Sequence, residues 1–431
     1  MTIRYVWSGA GGGNKTGVSW THAYTTLASA VMNAGDVIFV SHQHNEATSQ
    51  SGPIVSNGNS QFPVWVYCVL TLPPPTLPTF ADLRTTARVQ TFFDESISFS
   101  GTASYYGITF IAGRLSGNPT LSLAMGSAQW NRFENCSLQI GSTGATAKIA
   151  SSGGYGSCIE LINTTLGFQN VNQSFVHGSL VKWRNTPNAL VGTIPNTLFI
   201  PAPGGAPELE CVGVDLSAAG SGKTLVGADP QSTNSRYSFT DCKLNSAVTR
   251  SATPLSHGGM RADFLRSGSA PSNYTLNSYR KAAVLTEETI TTRNGGGVVS
   301  WKVITAPSCN YSTPFECPPI AFWVDTVGAP VTATLEVLSA LATAKDNEIW
   351  LDVEYLGSAS SPLGSFVNDG TPDLLATPAD QTTSAVTWSG AGTKFKLNVS
   401  FTPQQKGWAY ARVKIGKPST TFYIDPIVTL S

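Results

Sequence analysis

The nine residues WNRFENCSL at 130–138 have the same layout as CIELINTTL at 158–166, 28 positions further along. The layout recurs around anchor residues separated by 28, 28, 22, 28 and 28 positions. These anchors are Gly107, Asn135, Asn163, Asn185, Gly213 and Asp241. Because each repeat of a solenoid stacks on the next, self-similarity at a nearly fixed period predicts a solenoid.

The columns of this repeat also indicate its secondary structure. The positions four and two before each anchor are mostly apolar, whereas the position between them is mostly polar. Alternation of this kind is typical of a strand with one buried face. Gly, Asn and Asp tolerate a left-handed backbone at the lowest steric cost, so each anchor is expected to be a bend. Strand, bend and strand in every repeat predict an all-β fold, a parallel β-helix.

The polar column, three residues before each anchor, predicts a ladder on the outer face of the helix. Stacked coils lie roughly 4.8 Å apart, so neighbouring members of a column stand side by side. Four members alternate in sign: Arg132, Glu160, Lys182 and Glu210. Opposite charges on adjacent strands attract, which favours the interpretation of these residues as a surface ladder whose charges cancel.

Composition limits the classes of function. Of 431 residues only 12% are charged, and 26 basic residues balance 26 acidic ones. Without an excess of basic residues, the composition does not indicate nucleic acid or an anionic membrane as a partner. We find no apolar run long enough for a transmembrane helix and no signal segment at Met1. The glycine-rich segment 9–13 lacks the GK[ST] of a phosphate loop, so no cofactor is assigned.

Seven cysteines occur without CxxC spacing. Cys136, Cys211 and Cys242 fall in inward columns of the repeat and are expected to be small core residues, in a chain assembled in a reducing compartment. Cys309 and Cys317 flank a proline-containing loop, and whether these two pair is left open.

A cap is expected before the first coil. Ser19 is a helix N-cap residue, and Ala23, Leu27, Ala30, Val31 and Ala34 follow at helical spacing. Gly35 would end this helix. An apolar strand, Val37–Val40, comes directly afterwards.

The opening of the chain resembles a known family. A Tyr-Val start, a glycine-rich turn, GVSW at 17–20 and AGDVIFV at 34–40 are similar to the N-terminal cap of right-handed parallel β-helices. Phage tailspike-like virion proteins and some secreted pectate-lyase-like proteins begin in this way. The resemblance covers about the first 50 residues closely and the coils to about 260 by pattern. It implies the fold, a homotrimer and a place in the virion, with assembly in the host cytoplasm, but no activity.

The chain is divided accordingly into a cap (1–36), a β-helix (37–265), a linker or neck (266–280) and a C-terminal domain (281–431). Alternating runs separated by turn residues predict an antiparallel β-sandwich, jelly-roll-like, in that domain. The runs are Val298–Thr305, Ile320–Val324, Val331–Leu338, Glu348–Tyr355, Lys394–Phe401, Ala409–Ile415 and Thr421–Val428. The alternation at 350–355 further predicts a half-solvated sheet.

Paired carboxylates are the chemistry that polysaccharide hydrolysis needs. Glu160 and Glu210 lie two coils apart, roughly 10 Å, near the separation of an inverting pair. Lys182 stands between them, which favours the ladder. Glu208 and Glu210 share one face of one strand and form a weaker pair. No acidic cluster is evident in the coils, so no catalytic residue is assigned.

Two further sets of side chains are candidates for binding. His42, His44 and Glu46 would share one face of an extended strand, but no fourth ligand is evident, so no metal is assigned. They would otherwise help to close the cap. Exposed aromatic rings can stack on sugars. The glycan-binding candidates are Trp388, Trp408 and Tyr410, with Trp130 a further candidate and Trp183 expected in the core.

The sequence favours a bacteriophage virion structural protein, a trimeric capsid-decoration (cement or head-spike) protein. The alternative is a tailspike or receptor-binding protein with polysaccharide binding or depolymerase activity. Three features favour decoration: a chain that opens at the cap, coils without clustered acids, and a weakly charged surface rich in Ser, Thr and Gly. The partners expected are other copies of the chain, capsid or tail proteins, and host surface glycan under the alternative. A secreted pectate-lyase-like enzyme is the third hypothesis.

Overall fold

The structure is a computed structural model. It describes residues 1–11, 14–48, 53–71, 77–151, 156–203, 207–228, 235–252, 260–265, 267–269, 276–280, 283–290, 298–307, 309–310, 314–318, 320–339, 348–355, 380–384, 393–403 and 406–431. They form two compact units, Met1–Thr275 and Leu276–Ser431. Within the described ranges the regular structure is β-strand apart from one 3-10 turn, Phe80–Asp82. No helix in those ranges is long and apolar enough to cross a membrane.

The first unit is built on three parallel sheets, and the chain visits them in turn. We call them the first, second and third sheets in the order in which a coil enters them. The first sheet contains Ile3–Val6, Val37–Ser41, Val64–Val69, Ala103–Tyr106, Trp130–Glu134, Cys158–Ile162, Leu180–Thr186, Glu208–Val214, Arg236–Thr240 and Arg261–Leu265.

The other two sheets follow the bend in each coil. The second sheet contains Asn45–Thr48, Ala87–Thr91, Ile108–Leu115, Ser137–Ser142, Thr165–Phe168 and Leu190–Gly192. The third contains Pro53–Val55, Ile97–Ser100, Thr120–Ser122, Lys148–Ser151, Ser174–His177, Thr197–Pro201, Thr224–Val226 and Thr249–Ser251. Strands of successive coils pair in parallel. The predicted parallel β-helix is therefore confirmed, with a third strand that the repeat did not reveal.

The bends lie at the predicted anchors. All six have positive φ, from 47° at Asn163 to 74° at Gly107. Asn and Asp adopt this left-handed backbone more readily than other residues that carry a Cβ. The Asn163 side-chain amide also donates to the Asn135 side-chain oxygen, 2.5 Å away in the preceding coil. The anchor column therefore fixes both the turn and the stacking.

The interior is filled by the apolar column two residues before each anchor. Its members are fully buried: Tyr105, Phe133, Leu161, Trp183, Cys211 and Phe239. Full burial of a side chain of this size contributes roughly 1.5–3 kcal/mol. Cys136 and Cys242 are buried as predicted, and burial raises the pKa of their thiols to about 12 and about 11. Trp183 is a core residue, also as predicted.

The predicted cap helix is wrong. Residues 18–36 form successive turns, with His22 N–H donating to the Ser19 carbonyl at 3.2 Å. Ser and Thr compete with a helix because their hydroxyls bond to nearby backbone, as the Thr26 Oγ1 does with Ser29 N–H at 3.2 Å. A second cause is tertiary, because the Leu27 N–H donates to the Glu46 carboxylate at 2.7 Å instead of to a helical carbonyl. Leu27 is buried although it is not helical.

The second unit consists of two antiparallel sheets. The larger contains Leu276–Arg280, Ala283–Ile290, Val298–Thr305, Val331–Ser339, Asp380–Ser384, Thr393–Phe401, Thr421–Ile424 and Thr429–Leu430. The smaller contains Phe315–Glu316, Ile320–Val324, Ile349–Glu354 and Gly407–Ile415. Buried residues of both sheets, such as Leu335 and Val413, belong to one hydrophobic core. The predicted strands and C-terminal antiparallel sheets are confirmed, whereas jelly-roll connectivity stays a prediction.

Two details of this unit were not foreseen. Trp350 and Asp352 are only 5% and 1% exposed, so the expected half-solvated sheet is wrong at these positions. Lys414 reaches the Asp352 carboxylate at 2.7 Å, and this ion pair accounts for a charge that a strand pattern would place in solvent. Cys309 and Cys317 are buried thiols that no disulfide joins.

Candidate functional site

The outer face of the first sheet carries the polar ladder. Its strands pair so that Arg132 is opposite Glu160, Glu160 opposite Lys182 and Lys182 opposite Glu210. The register continues through Ser238 to Asp263. Members of one column share a face because the strands pair in register without a shift. The predicted order of charges along the coils is therefore present.

Direct ion pairs between neighbouring charges of this column are absent among the described residues. Arg132 donates to Glu134, two residues along its own strand, at 2.7 Å. Between Glu160, Lys182 and Glu210 the described part of the chain shows no salt bridge. Strand neighbours hold the side chains of a column about 4.8 Å apart at the backbone, but long side chains can still point away from each other. Glu210 is consequently available to a ligand.

A groove opens where the ladder approaches the last coils of the first unit. Its volume is about 230 Å³. Buried Leu209 and Tyr237 belong to its floor. The remaining lining is polar and mostly charged: Glu208, Glu210, Arg236, Ser238, Arg261 and Asp263. We call this set the charged groove.

The charged groove places two carboxylates on either side of a small residue. Glu210 and Asp263 both pair with Ser238, one from each side, so they lie two coils apart. Two strand spacings amount to about 10 Å at the backbone, near the roughly 6.5–9.5 Å between the carboxyl groups of inverting glycosidases. Because Ser238 is short, the space between the two carboxylates is open. Arg261 forms an ion pair with Asp263.

Two of the predicted catalytic candidates lie in the charged groove and one does not. Glu208 and Glu210 line it, whereas Glu160 lies two coils away behind Lys182. Sequence reasoning missed Asp263 and both arginines. Asp263 could have been found by extending the polar column one coil beyond Ser238. The last repeat is shorter than 28 residues, however, and its anchor position, Arg266, is not Gly, Asn or Asp.

The proposed sharing of one face by His42, His44 and Glu46 is wrong. The strand ends at Ser41 and a turn intervenes, so the alternation does not continue to His44. His42 Nδ1 accepts from Thr71 N–H at 3.2 Å. The described residues hold no group of three His, Cys, Asp or Glu side chains placed for a metal ion.

His44 and Glu46 instead hold the cap onto the first coil. His44 Nδ1 accepts from the Ser8 N–H at 2.9 Å, so its other nitrogen donates to the Glu46 carboxylate at 3.2 Å. Glu46 in turn accepts from the Leu27 N–H. Both side chains are buried. Hydrogen bonding of buried polar groups to two segments of the cap explains how it is fixed without a helix.

The aromatic candidates differ in placement. Trp388 lies outside the described residues. Trp408 is 53% exposed and Tyr410 is half-buried, both in the strand Gly407–Ile415. Trp130 is 44% exposed on the outer face of the first sheet. Sequence reasoning missed Trp323, which is the direct cross-strand partner of Trp408.

Further aromatic rings lie on the outer face of the first sheet, towards the N-terminal coils. Trp65 and Tyr67 have parallel rings with centroids 6.2 Å apart, and Tyr106 follows 6.4 Å from Tyr67. Beside them is an apolar hollow of about 290 Å³, with exposed Phe80 and Leu77 at its margin. The outer face of the first sheet is therefore aromatic at one end and charged at the other.

These features define a parallel β-helix protein with a charged groove on its first sheet and a second unit of antiparallel sheets. No protein-family model matches the chain, and no curated protein does. Among solved structures, the chain is similar to the enzymatically active domain of tailspike protein 4 of bacteriophage CBA120. The identity is 8%, the match covers 92% of this chain and 64% of that one, and the TM-score is 0.21. The chain thus spans less than two thirds of the length of that structure.

Proposed function

We propose that the protein is a tailspike-like or receptor-binding protein of a bacteriophage, and that it binds an extended polysaccharide on the outer face of the first sheet. The observation that carries the proposal is the charged groove, in which Glu210 and Asp263 flank Ser238. Carboxylates and arginines form hydrogen bonds with sugar hydroxyls, and the exposed rings of Trp130 and Trp65 on the same face supply stacking surfaces.

The same groove suits inverting hydrolysis. In that reaction a carboxylic acid protonates the glycosidic oxygen while a carboxylate removes a proton from the attacking water. We assign the carboxylate role to Asp263, which is paired with Arg261, and the acid role to Glu210. The bond between the anomeric carbon and the leaving oxygen breaks, the water oxygen bonds to that carbon, and the chain is cut with inversion.

The test uses the full chain and capsular and lipopolysaccharide glycans of candidate hosts. We expect glycan binding and release of reducing ends, with Glu210→Gln and Asp263→Asn each lowering the rate by about 10²–10⁴-fold. Glu160→Gln, on the same column but outside the groove, is the matched control and keeps the rate. Binding without cleavage would reduce the proposal to receptor binding. Absence of both would contradict it.

Capsid decoration, which the sequence favours, remains a prediction. One of the three features that favoured decoration was the absence of clustered acids from the coils. That feature does not hold, because Glu208, Glu210 and Asp263 line one groove. Labelling of purified particles with an antibody to the chain separates the two functions. Label spread over the shell would favour decoration, and label at the tail alone would favour the tailspike function.

The homotrimer is likewise a proposal. The exposed apolar margin of the N-terminal hollow supports it, since Met1, Leu77 and Phe80 are 91%, 52% and 90% exposed. Exposed apolar patches of this kind are typical of association surfaces. Sedimentation of the full chain should give a trimer, and Phe80→Glu should weaken it. A monomer across micromolar concentrations would contradict this proposal.

A further inference from the structure

The smaller sheet of the second unit carries a pair of exposed tryptophans. Trp323 and Trp408 are 50% and 53% exposed and lie directly opposite each other on antiparallel strands. Their ring centroids are 5.7 Å apart and their planes are at 82°. Neither belongs to the hydrophobic core of the unit. Two half-exposed indoles that do not support the core suggest a surface built for contact.

An ion pair stands beside these indoles. Lys406 Nζ lies 2.9 Å from the Asp325 carboxylate, and both side chains are mostly exposed. Lys406 holds the pKa of Asp325 below its ordinary value, and the nearby Trp323 side chain adds to this shift. The Trp323 ring therefore has a charged side chain beside it.

A residue with a small side chain stands next to the two tryptophans. Ala321 lies two residues before Trp323 on the same exposed face, and its cross-strand partner is Tyr410. The methyl group of Ala321 therefore stands beside three aromatic residues, Trp323, Trp408 and Tyr410. The ion pair of Asp325 and Lys406 adds a charged acceptor and a charged donor nearby.

We propose that Trp323 and Trp408 form a carbohydrate-binding site that takes one pyranose ring of a glycan. The apolar face of a pyranose stacks on an indole, and its hydroxyls hydrogen-bond with charged side chains at the edge. Two perpendicular rings offer a corner in which a sugar contacts the face of one indole and the edge of the other. The charges of Asp325 and Lys406 cancel, which suits a neutral sugar.

The size of the patch argues against a protein partner. A stable protein interface covers about 800 Å² on each side. The Trp pair with Ala321 and Tyr410 provides far less, and an exposed ion pair borders it. A small ligand with both apolar and hydroxyl surfaces fits this patch better. The site is separate from the charged groove, and the inference does not depend on the function proposed for that groove.

The test is titration of the full chain with a panel of neutral oligosaccharides: maltotetraose, cellotetraose, chitotetraose, mannotetraose, galactotetraose and rhamnotetraose. Binding is followed by tryptophan fluorescence and by saturation-transfer NMR. We expect at least one sugar to bind saturably. Trp323→Ala and Trp408→Ala should each raise its Kd about tenfold or more, corresponding to about 1.4 kcal/mol. Trp323→Tyr retains a stacking ring and should recover most of the affinity.

Two matched controls keep this result interpretable. Ile304→Ala removes an exposed apolar side chain of the same unit and should leave the Kd unchanged. Glu160→Gln changes a charge of the first unit outside the charged groove and should also leave the Kd unchanged. Absence of binding across the panel would overturn the inference. So would a Kd insensitive to both alanine variants, or alanine variants that change only unfolding or oligomeric state.

Discussion

His177 makes the stability of the β-helix sensitive to acid. The side chain is fully buried in the third sheet, with its ring centroid 5.0 Å from that of Tyr237 and 6.0 Å from that of Phe175. Burial lowers the pKa of His177 from 6.5 to about 3, because a charged imidazole would lose its hydration, and the nearby backbone of Ser179 opposes only part of this shift.

The sign follows from proton binding in the two states. Between pH 6.5 and 3 the unfolded chain binds a proton at this residue and the folded chain does not. The free energy of unfolding therefore falls as the pH falls through this window. For these two pKa values the loss between pH 7 and pH 5 is about 2 kcal/mol. His177→Leu, which has a similar volume and no charge, should lack this loss.

The assay measures unfolding of the first unit alone. Pulsed alkylation of Cys136, Cys211 and Cys242 in increasing urea, resolved by peptide mass spectrometry, reports when the coil interior opens. The free energy of unfolding derived from these curves should fall between pH 7 and pH 5 in the natural chain and in His22→Gln, which changes a histidine of the cap. In His177→Leu this fall should be about 2 kcal/mol smaller. Equal pH dependence in His177→Leu and the natural chain would refute the reasoning.

Three further predictions concern the anchor column, the buried ion pair and the thiols. Asn163→Val should lower the free energy of unfolding, measured by thermal unfolding, by about 2–3 kcal/mol, because valine is strained at positive φ and the bond to Asn135 is lost. Asn163→Gly should lower it less, and equal losses for the two variants would contradict this. Lys414→Met should lower the free energy of unfolding in urea at pH 7 by about 3–5 kcal/mol, because it leaves the Asp352 carboxylate buried and unpaired. The loss should be smaller at low pH, because burial raises the Asp352 pKa and a protonated Asp352 carries no charge. In the folded chain at pH 8, iodoacetamide should label half-buried Cys158 before the six buried thiols; simultaneous labelling would contradict the packing.

Most of the fold could be predicted from local patterns in the sequence. The bends could be predicted because Asn135 and Asn163 meet a backbone requirement that few residues satisfy cheaply. The interior could be predicted because Phe133 and Trp183 recur at a fixed distance from those bends. Each of these properties depends on one residue and its neighbours along the chain.

The candidate site was less predictable, because it depends on which coils stack. Asp263 joins Glu210 in the charged groove only through the register of three strands, and the shorter last repeat hides that register in the sequence. Alternation along an extended strand placed His42 and His44 on one face, but the turn after Ser41 interrupts that strand. Trp323 and Trp408 are 85 positions apart, and their pairing is set by the sheet.

The sequence by itself determined a parallel β-helix with bends at the anchors, an inward column of apolar side chains and a second unit of antiparallel strands. Short-range periodicity and backbone sterics suffice for these, since both act within a single coil or strand. Tertiary structure alone decided that the cap is held by Glu46 without a helix, that Asp352 is buried with Lys414, and that the charged groove exists. Each of these depends on a partner from a distant segment, and a partner of that kind leaves no periodic trace along the chain.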